Sequence, residues 1–384
     1  MNSSDNKIQY QAELFANRLK RKYKELRKQR RKNRVSSYRL YDRDIPEIPL
    51  SLDLYEFLPD GVDTVLEAAR FISAQNESLS ANAPGLEKEI KERTYAVLYL
   101  YERPYEKAED EEALWLEAMA TAAANVLGID NSHIIKKSRG HKSHKDGEQY
   151  TSLSDEESSI SGLTIEQGQL FSLNLSSYLD TGLFFDHRPL RATIRDTANK
   201  KRFLNLFCYT GSFSVYAAQG NASFVESVDL SNTYLNWAKE NMKLNGFTDK
   251  NKYIYTRADC MEFLKEKALA AKAKSLKPSD YYDIIILDPP TFSNSKNTYN
   301  VLDINRDWPQ LVKDCLNILN PGGILYFSTN SERLKFNPSE IPPVTISGNK
   351  ISCQDITAQT IPNDYAGAKP HRCWKLCVET AQTL

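Results

Sequence analysis

From Arg202 onward the chain alternates short apolar runs with helical stretches. RFLNLF (202–207), SFVESV (223–228), KYIYTR (252–257), YDIIIL (282–287) and ILYFS (324–328) carry the β-branched and aromatic residues of buried strands. Segments 213–219, 231–244, one starting near Met261, and 308–319 read as helices, with Asn245-Gly246 and Pro321-Gly322-Gly323 as stops. Two later runs, ISCQDIT (351–357) and CWKLCVE (373–379), predict an antiparallel edge. This alternation predicts an α/β fold, a right-handed, doubly wound, mostly parallel Rossmann-like sheet. Ligands bind such sheets beyond the carboxyl ends of the strands.

Upstream the periodicity changes. Phe15, Leu19, Tyr23 and Leu26 recur at spacings of three and four between Gln11 and Asn33, a narrow apolar stripe on a helix that is otherwise basic. Residues 37–41, 50–55, 94–101, 133–137 and 170–174 predict strands, and 111–127 predicts a helix with Leu114, Ala118, Ala122 and Val126 on one face. The stretch 138–168 is polar and Ser-rich, which predicts a mobile loop or hairpin. The chain thus divides into a basic N-terminal helix (1–34), a small α+β subdomain (35–177) and the α/β sheet domain (178–384).

Composition narrows the function classes. With 384 residues, 41% of them hydrophobic, the chain can bury one large core or two modest ones. It has no run of about 18 apolar residues, so no membrane helix is expected. Its first residues lack the apolar centre of a secretory signal. Cysteines 208, 260, 315, 353, 373 and 377 form no CxxC pair, so they predict reduced thiols in a cytoplasmic protein without a bound metal. The formal net charge of +0 conceals an imbalance, because residues 1–34 hold twelve Lys or Arg against three Asp or Glu. Such a block is either a solvated helix face or a handle for nucleic-acid phosphates.

Three acids, Asp229, Asp259 and Asp288, stand at successive strand ends. One could be a helix cap; three on the binding edge suit a ligand with several hydroxyl or amino donors. Asp229 follows Phe207 by 22 residues, close to the usual separation of a ribose-binding acid from the first turn. That turn, Phe207-Cys-Tyr-Thr210-Gly211-Ser-Phe, has one glycine where a dinucleotide cradle has three, and no GxxxxGK[ST] occurs. A nucleoside ligand without phosphates fits, and S-adenosylmethionine is the common one. Its ribose would meet Asp229, its adenine Asp259, and its methionine end the backbone of Thr210–Ser212. Upstream, Asp186, His187 and Arg188 crowd around Phe184 and Phe185, either as a salt-linked connector or as a lid offering Arg188 or His187 to the ligand's carboxylate. In Asp288-Pro289-Pro290-Thr291-Phe292 the prolines fix φ and bias their neighbours to extended backbone, so rigid carbonyls face the cleft beside a ring on which a base can stack.

The segments ELFANRLKR (13–21), SSYRLYDRDIPE (36–47), YLDTGLFFDHR (178–188), LNLFCYTGSFSV (204–215), DPPTFSNSK (288–296) and HRCW (371–374) together resemble one family. It is the large-subunit (23S) ribosomal RNA guanine-N7 methyltransferase family, which in many bacteria forms the C-terminal half of a fused bifunctional enzyme. The resemblance covers the chain from about Glu13 onward. It implies a class I, S-adenosylmethionine-dependent methyltransferase sheet, preceded by an α+β subdomain that helps hold ribosomal RNA. It also implies that Phe207, Asp229, Asp259 and Asp288 line the cofactor site. The guanine-N2 methyltransferase half of the fused enzymes has no counterpart in these residues.

Guanine N7 carries a free lone pair, so its methylation needs alignment with the sulfonium methyl rather than a base. On this reading Asp288, Pro289, Phe292 and Asn294 orient the base, Asp186, Arg188, Phe207, Thr210, Gly211, Asp229, Asp259 and Asp288 hold the cofactor, and the oligomeric state is left open, a monomer being one option. One alternative is a cytosine-C5 methyltransferase of the same superfamily, whose chemistry needs a thiolate. Where those relatives carry cysteine, this chain reads Phe327-Ser328-Thr329-Asn330-Ser331. Another is a catalytically silent RNA-binding assembly factor that retains the fold.

Overall fold

The basic arm forms a single long helix, α1 (Ser3–Lys32), in the computed structural model, which describes residues 3–81, 83–102, 108–139, 159–293, 301–342 and 351–378. Phe15 and Leu19 are fully buried and Leu26 nearly so, which explains why the stripe docks. Burying each such side chain stabilises by about 1.5–3 kcal/mol. Asp44 fixes the helix laterally, accepting from Arg18 at 2.6 Å and from Lys22 at 2.9 Å. The chain separates into two compact units, residues 1–185 and 186–384. Helix α1 belongs to the first.

In that first unit, β1 (Ser37–Asp42), β2 (Leu50–Glu56), β3 (Thr94–Tyr101) and β4 (Ile134–Arg139) make a sheet in the order 1-2-3-4. β3 and β4 run parallel, and the crossover between them contains the helix Glu109–Leu127. That helix buries Trp115, Met119 and Ala123 in the same core as Phe15 and Leu19. The apolar face assigned from sequence sits one position off: Leu114 is 67% exposed, and Ala118, Ala122 and Val126 are only partly buried. Two helices, Val65–Ser80 and Leu86–Glu92, had no clear signal in the pattern. Part of the polar stretch is a hairpin, Ser161–Glu166 with Gln169–Asn174, closed by Gln167 and Gly168 at φ 51° and 90°. Residues 140–158 of that stretch lie outside the described residues.

The second unit holds a seven-stranded sheet. In it, helix αA (Arg188–Thr197) precedes βA (Arg202–Leu206), αB (Ser212–Gln219), βB (Phe224–Asp229), αC (Asn232–Leu244), βC (Tyr253–Arg257) and αD (Cys260–Lys272). βD (Tyr282–Leu287), αE (Ile304–Asn317), βE (Leu319–Thr329), βF (Ile351–Asp355), αF (Thr357–Thr360) and βG (Arg372–Val378) follow. Their order across the sheet is F-G-E-D-A-B-C, parallel from E to C, with G antiparallel to both neighbours. The parallel strands and the antiparallel edge are those expected from the apolar runs. βE starts earlier than its apolar run, at Leu319, because the Pro-Gly-Gly segment runs within the strand and the register shifts across it. Among the described residues no helix is long and apolar enough to cross a membrane.

Candidate active site

The sheet order reverses direction between βA and βD, and the carboxyl ends of these strands carry the expected residues. The turn after βA is tightly wound: Phe207, Tyr209 and Gly211 all have positive φ, at 54°, 51° and 74°. Two non-glycine residues in that region cost conformational energy, of order 1 kcal/mol or more each, and persist only where neighbours hold them. Here the neighbours are identifiable. The N–H of Tyr209 donates to Asp229 Oδ2 at 3.0 Å, that of Cys208 to the Val228 carbonyl at 3.0 Å, and that of Phe207 to Cys260 Sγ at 3.2 Å. The carbonyl of buried Thr210 accepts from Asn241 on αC at 2.9 Å.

Asp229 therefore braces the turn while standing at the end of βB. Its second oxygen accepts the N–H of Ser231 at 2.9 Å, and each carboxylate oxygen has more than one lone pair to offer. Burial pushes its pKa above the ordinary aspartate value, opposed by these N–H donors. Asp259, one strand further, caps αD by accepting from the Met261 N–H at 2.8 Å. Both acids thus accept from main-chain N–H groups at the ends of their strands. A diol and an amine, the donor set of adenosine, match the acceptors at these two strand ends.

Asp288 lies just past the last paired residues of βD, where Leu287 faces Leu206 on one side and Phe327 on the other. Its side chain is 27% exposed. Pro289 is buried, Thr291 donates to Asn330 Oδ1 at 2.6 Å, and Phe292 starts a two-residue ladder with Leu302–Asp303. Phe292 is 59% exposed, so its ring face is open to solvent. Asn294, expected to help orient the base, lies outside the described residues.

Of the two readings of Asp186, His187 and Arg188, the contacts match the salt-linked connector. Arg188 is buried and its Nη1 contacts both oxygens of Asp364, at 3.0 and 3.2 Å, so its guanidinium is committed to an internal ion pair rather than held out for a ligand carboxylate. Asp186 accepts from His371 Nδ1 at 2.9 Å. His187 places Nε2 2.8 Å from Ser328 Oγ and 3.6 Å from Asp288 Oδ2. His371, Ser328 and Asp364 had no assigned role from sequence. HRCW contained His371, but the spacing to Asp186 gives no local signal.

Comparisons with known proteins give the family and the fold. A sequence profile described as S-adenosylmethionine-dependent methyltransferase matches residues 81–337. The ribosomal RNA large subunit methyltransferase K/L of Magnetococcus marinus is 36% identical over 366 residues, 95% of this chain and 43% of that protein. The ribosomal RNA large subunit methyltransferase K of Neisseria meningitidis serogroup B is 35% identical over 362 residues, 94% of this chain and 86% of that protein. The chain thus spans under half the length of the fused relatives, such as that of Magnetococcus marinus. Among solved structures, a SAM-dependent methyltransferase from Streptococcus mutans superposes with a TM-score of 0.64 at 18% identity, covering 96% of this chain and 81% of that one. A methyltransferase complexed with SAH gives a TM-score of 0.63 at 19% identity, covering 96% of this chain and 82% of that one. The fold is that of the class I enzymes, and the chain belongs to the S-adenosylmethionine-dependent methyltransferase family.

Proposed function

We propose that this chain transfers the methyl group of S-adenosylmethionine to N7 of a guanine in large-subunit ribosomal RNA. The bound cofactor supplies an electrophilic sulfonium methyl. The protein's own residues then have three tasks. Asp229 and Asp259 accept from the nucleoside, and the braced turn at Phe207–Gly211 sets the depth at which it sits. Asp288, with the Pro289 carbonyl, orients the base, and exposed Phe292 supplies a stacking face. No group has to remove a proton, because N7 attacks with its own lone pair.

The observation that carries purine N7 over pyrimidine C5 is at the end of βE. Ser328 is fully buried there and bonded to His187, next to Asp288, where a C5 enzyme would need a thiolate. The thiols of Cys208, Cys260 and Cys373 are buried, and burial pushes each well above the usual cysteine pKa. None is suited to act as a nucleophile at neutral pH. The name and matched length of the Neisseria relative support ribosomal RNA as the substrate. An rRNA substrate in turn implies a cytoplasmic reaction.

The test is nucleoside mass spectrometry of 23S rRNA from cells lacking the gene, incubated with the purified chain and S-adenosylmethionine. New 7-methylguanosine is the expected product. Appearance of 5-methylcytidine instead would overturn the reading. Absence of both, with no cofactor binding by calorimetry, would assign the chain to the silent RNA-binding class.

A further inference from the structure

A connected series of side chains runs through the second unit from Thr360 to Asp288. Thr360 Oγ1 meets His371 Nε2 at 2.9 Å, and His371 Nδ1 meets Asp186 Oδ2 at 2.9 Å. Asp186 Oδ1 lies 3.4 Å from His187 Nδ1, and His187 Nε2 reaches Ser328 and Asp288 as described. The series ties αF, the residue before βG, the start of αA, the end of βE and the tip of βD into one unit.

The nitrogen and oxygen atoms of Asp186, His187 and His371 fall within 4.8 Å of one another, which invites a metal reading. Ring geometry argues against it. The two imidazoles stack 4.2 Å apart with 12° between their planes. An ion between them would lie about 2 Å out of each ring plane, whereas a ligating nitrogen lone pair lies in the plane. Asp186 already occupies the side of both Nδ1 atoms.

The arrangement sets the His187 ring between two carboxylates. Burial disfavours a charge on His187, but Asp288 and Asp186 outweigh it and raise its pKa above the usual imidazole value, while Arg191 one turn along αA opposes them. The pKa of His371 is pushed down, first by burial and then by the neighbouring His187. Asp186 is held well below the usual range, because its contacts with both histidines overcome its burial. Phe213 of αB presents its ring edge to His187 at 5.6 Å and adds no charge.

We propose that His187 is a positioning residue for methyl transfer, fixing the Asp288 carboxylate at the tip of βD in the place against which the target base is set. This rests on the methyl-transfer reading above. His187 touches neither cofactor nor base in this scheme; it acts through Asp288. A group whose folded pKa is raised contributes fully below its unfolded value and loses that contribution as pH rises through the folded pKa. Asp288 is partly exposed, so loss of the charge beside it releases it toward solvent.

The experiment measures single-turnover methyl transfer to 23S rRNA by the full chain between about pH 6 and pH 8.5, a window spanning the imidazole range. The wild type should slow on the alkaline side. His187→Gln should lose that alkaline limb and run roughly 10–100-fold slower at the acid end, the size of effect that a misplaced orienting group produces. Affinity for S-adenosylmethionine, read by calorimetry, should change little. Ser328→Ala keeps His187 and both carboxylates and removes only the hydroxyl that shares Nε2 with Asp288, so the limb should persist but shift in pH, which keeps the test open if the His187 variant fails to fold. A flat wild-type profile, or a limb unchanged in His187→Gln, overturns the positioning role while leaving the methyl-transfer reading intact. A wild type with no transfer at any pH removes both.

Discussion

Asp229 Oδ2 accepts the N–H of Tyr209 at 3.0 Å, so one carboxylate both stands at the end of βB and holds the strained turn after βA. The two duties make a linked prediction. Asp229→Ala strands the donors of Tyr209 and Ser231, which should lower stability by about 1–3 kcal/mol in urea denaturation, and S-adenosylmethionine binding should be lost in calorimetry. Because burial raises this acid's pKa, the ionised form disappears at a higher pH than for an ordinary aspartate. Cofactor affinity in the wild type should therefore weaken on acidification before an exposed carboxylate would titrate. Undiminished binding by Asp229→Ala would remove Asp229 from the cofactor site.

Asp288 and Phe292 separate chemistry from stability more cleanly. Both are partly or largely exposed, so substitution should leave the fold intact, as read by circular dichroism. Asp288→Ala should reduce the transfer rate by about 100-fold or more, since it removes the orienting group. Phe292→Ala should instead raise the rRNA KM, by the roughly 1–3 kcal/mol that base–aromatic stacking contributes. Normal kinetics in either variant would move the base elsewhere.

Much of the candidate site was readable from sequence because its residues sit at strand ends. Asp229, Asp259 and Asp288 each close an apolar run, and a parallel sheet brings such ends to one edge. Elements that break the apolar rule were harder to see. Helix Val65–Ser80 buries only Ala68 and Gln75, too little to leave a stripe. Helix αA buries Arg188 and Arg191 among its apolar positions, which masks its period. The pairing of His371 with Asp186 spans 185 residues and follows from chain topology, not from spacing.

The first helix carries two faces with different expected behaviour. Phe15 and Leu19 lie in the core, so Phe15→Ala should cost about 3–5 kcal/mol in thermal or chemical unfolding. Lys20, Arg21, Lys24 and Lys28 are exposed at helical spacing on another side. Reversing these four to glutamate should leave stability nearly unchanged and flatten the salt dependence of rRNA binding. Each lost phosphate contact should reduce the slope of log K against log salt by about 0.7–0.9. Filter binding across salt concentrations measures this. An unaltered slope would assign the helix to packing alone.

Gly211 tests whether the turn's shape or its close approach to αC matters more. A Cβ at this position would come within 2.7 Å of the Ala238 Cβ, and its φ of 74° is one that L side chains rarely adopt. Gly211→Ala therefore combines two penalties, about 1–2 kcal/mol for the left-handed backbone and about 1–3 kcal/mol for overpacking against αC. Ala238→Gly removes the atom that clashes but leaves the backbone term, at the cost of a glycine inside a helix, roughly 0.5–1 kcal/mol. The double variant should therefore recover stability relative to Gly211→Ala beyond what the two single changes predict by addition. Urea denaturation of all four proteins measures that coupling. On the proposed function the same turn sets where the nucleoside lies, so cofactor affinity should fall in Gly211→Ala and return partly in the double variant. Strict additivity would show that αC does not press on the turn and that the glycine is there for its φ alone.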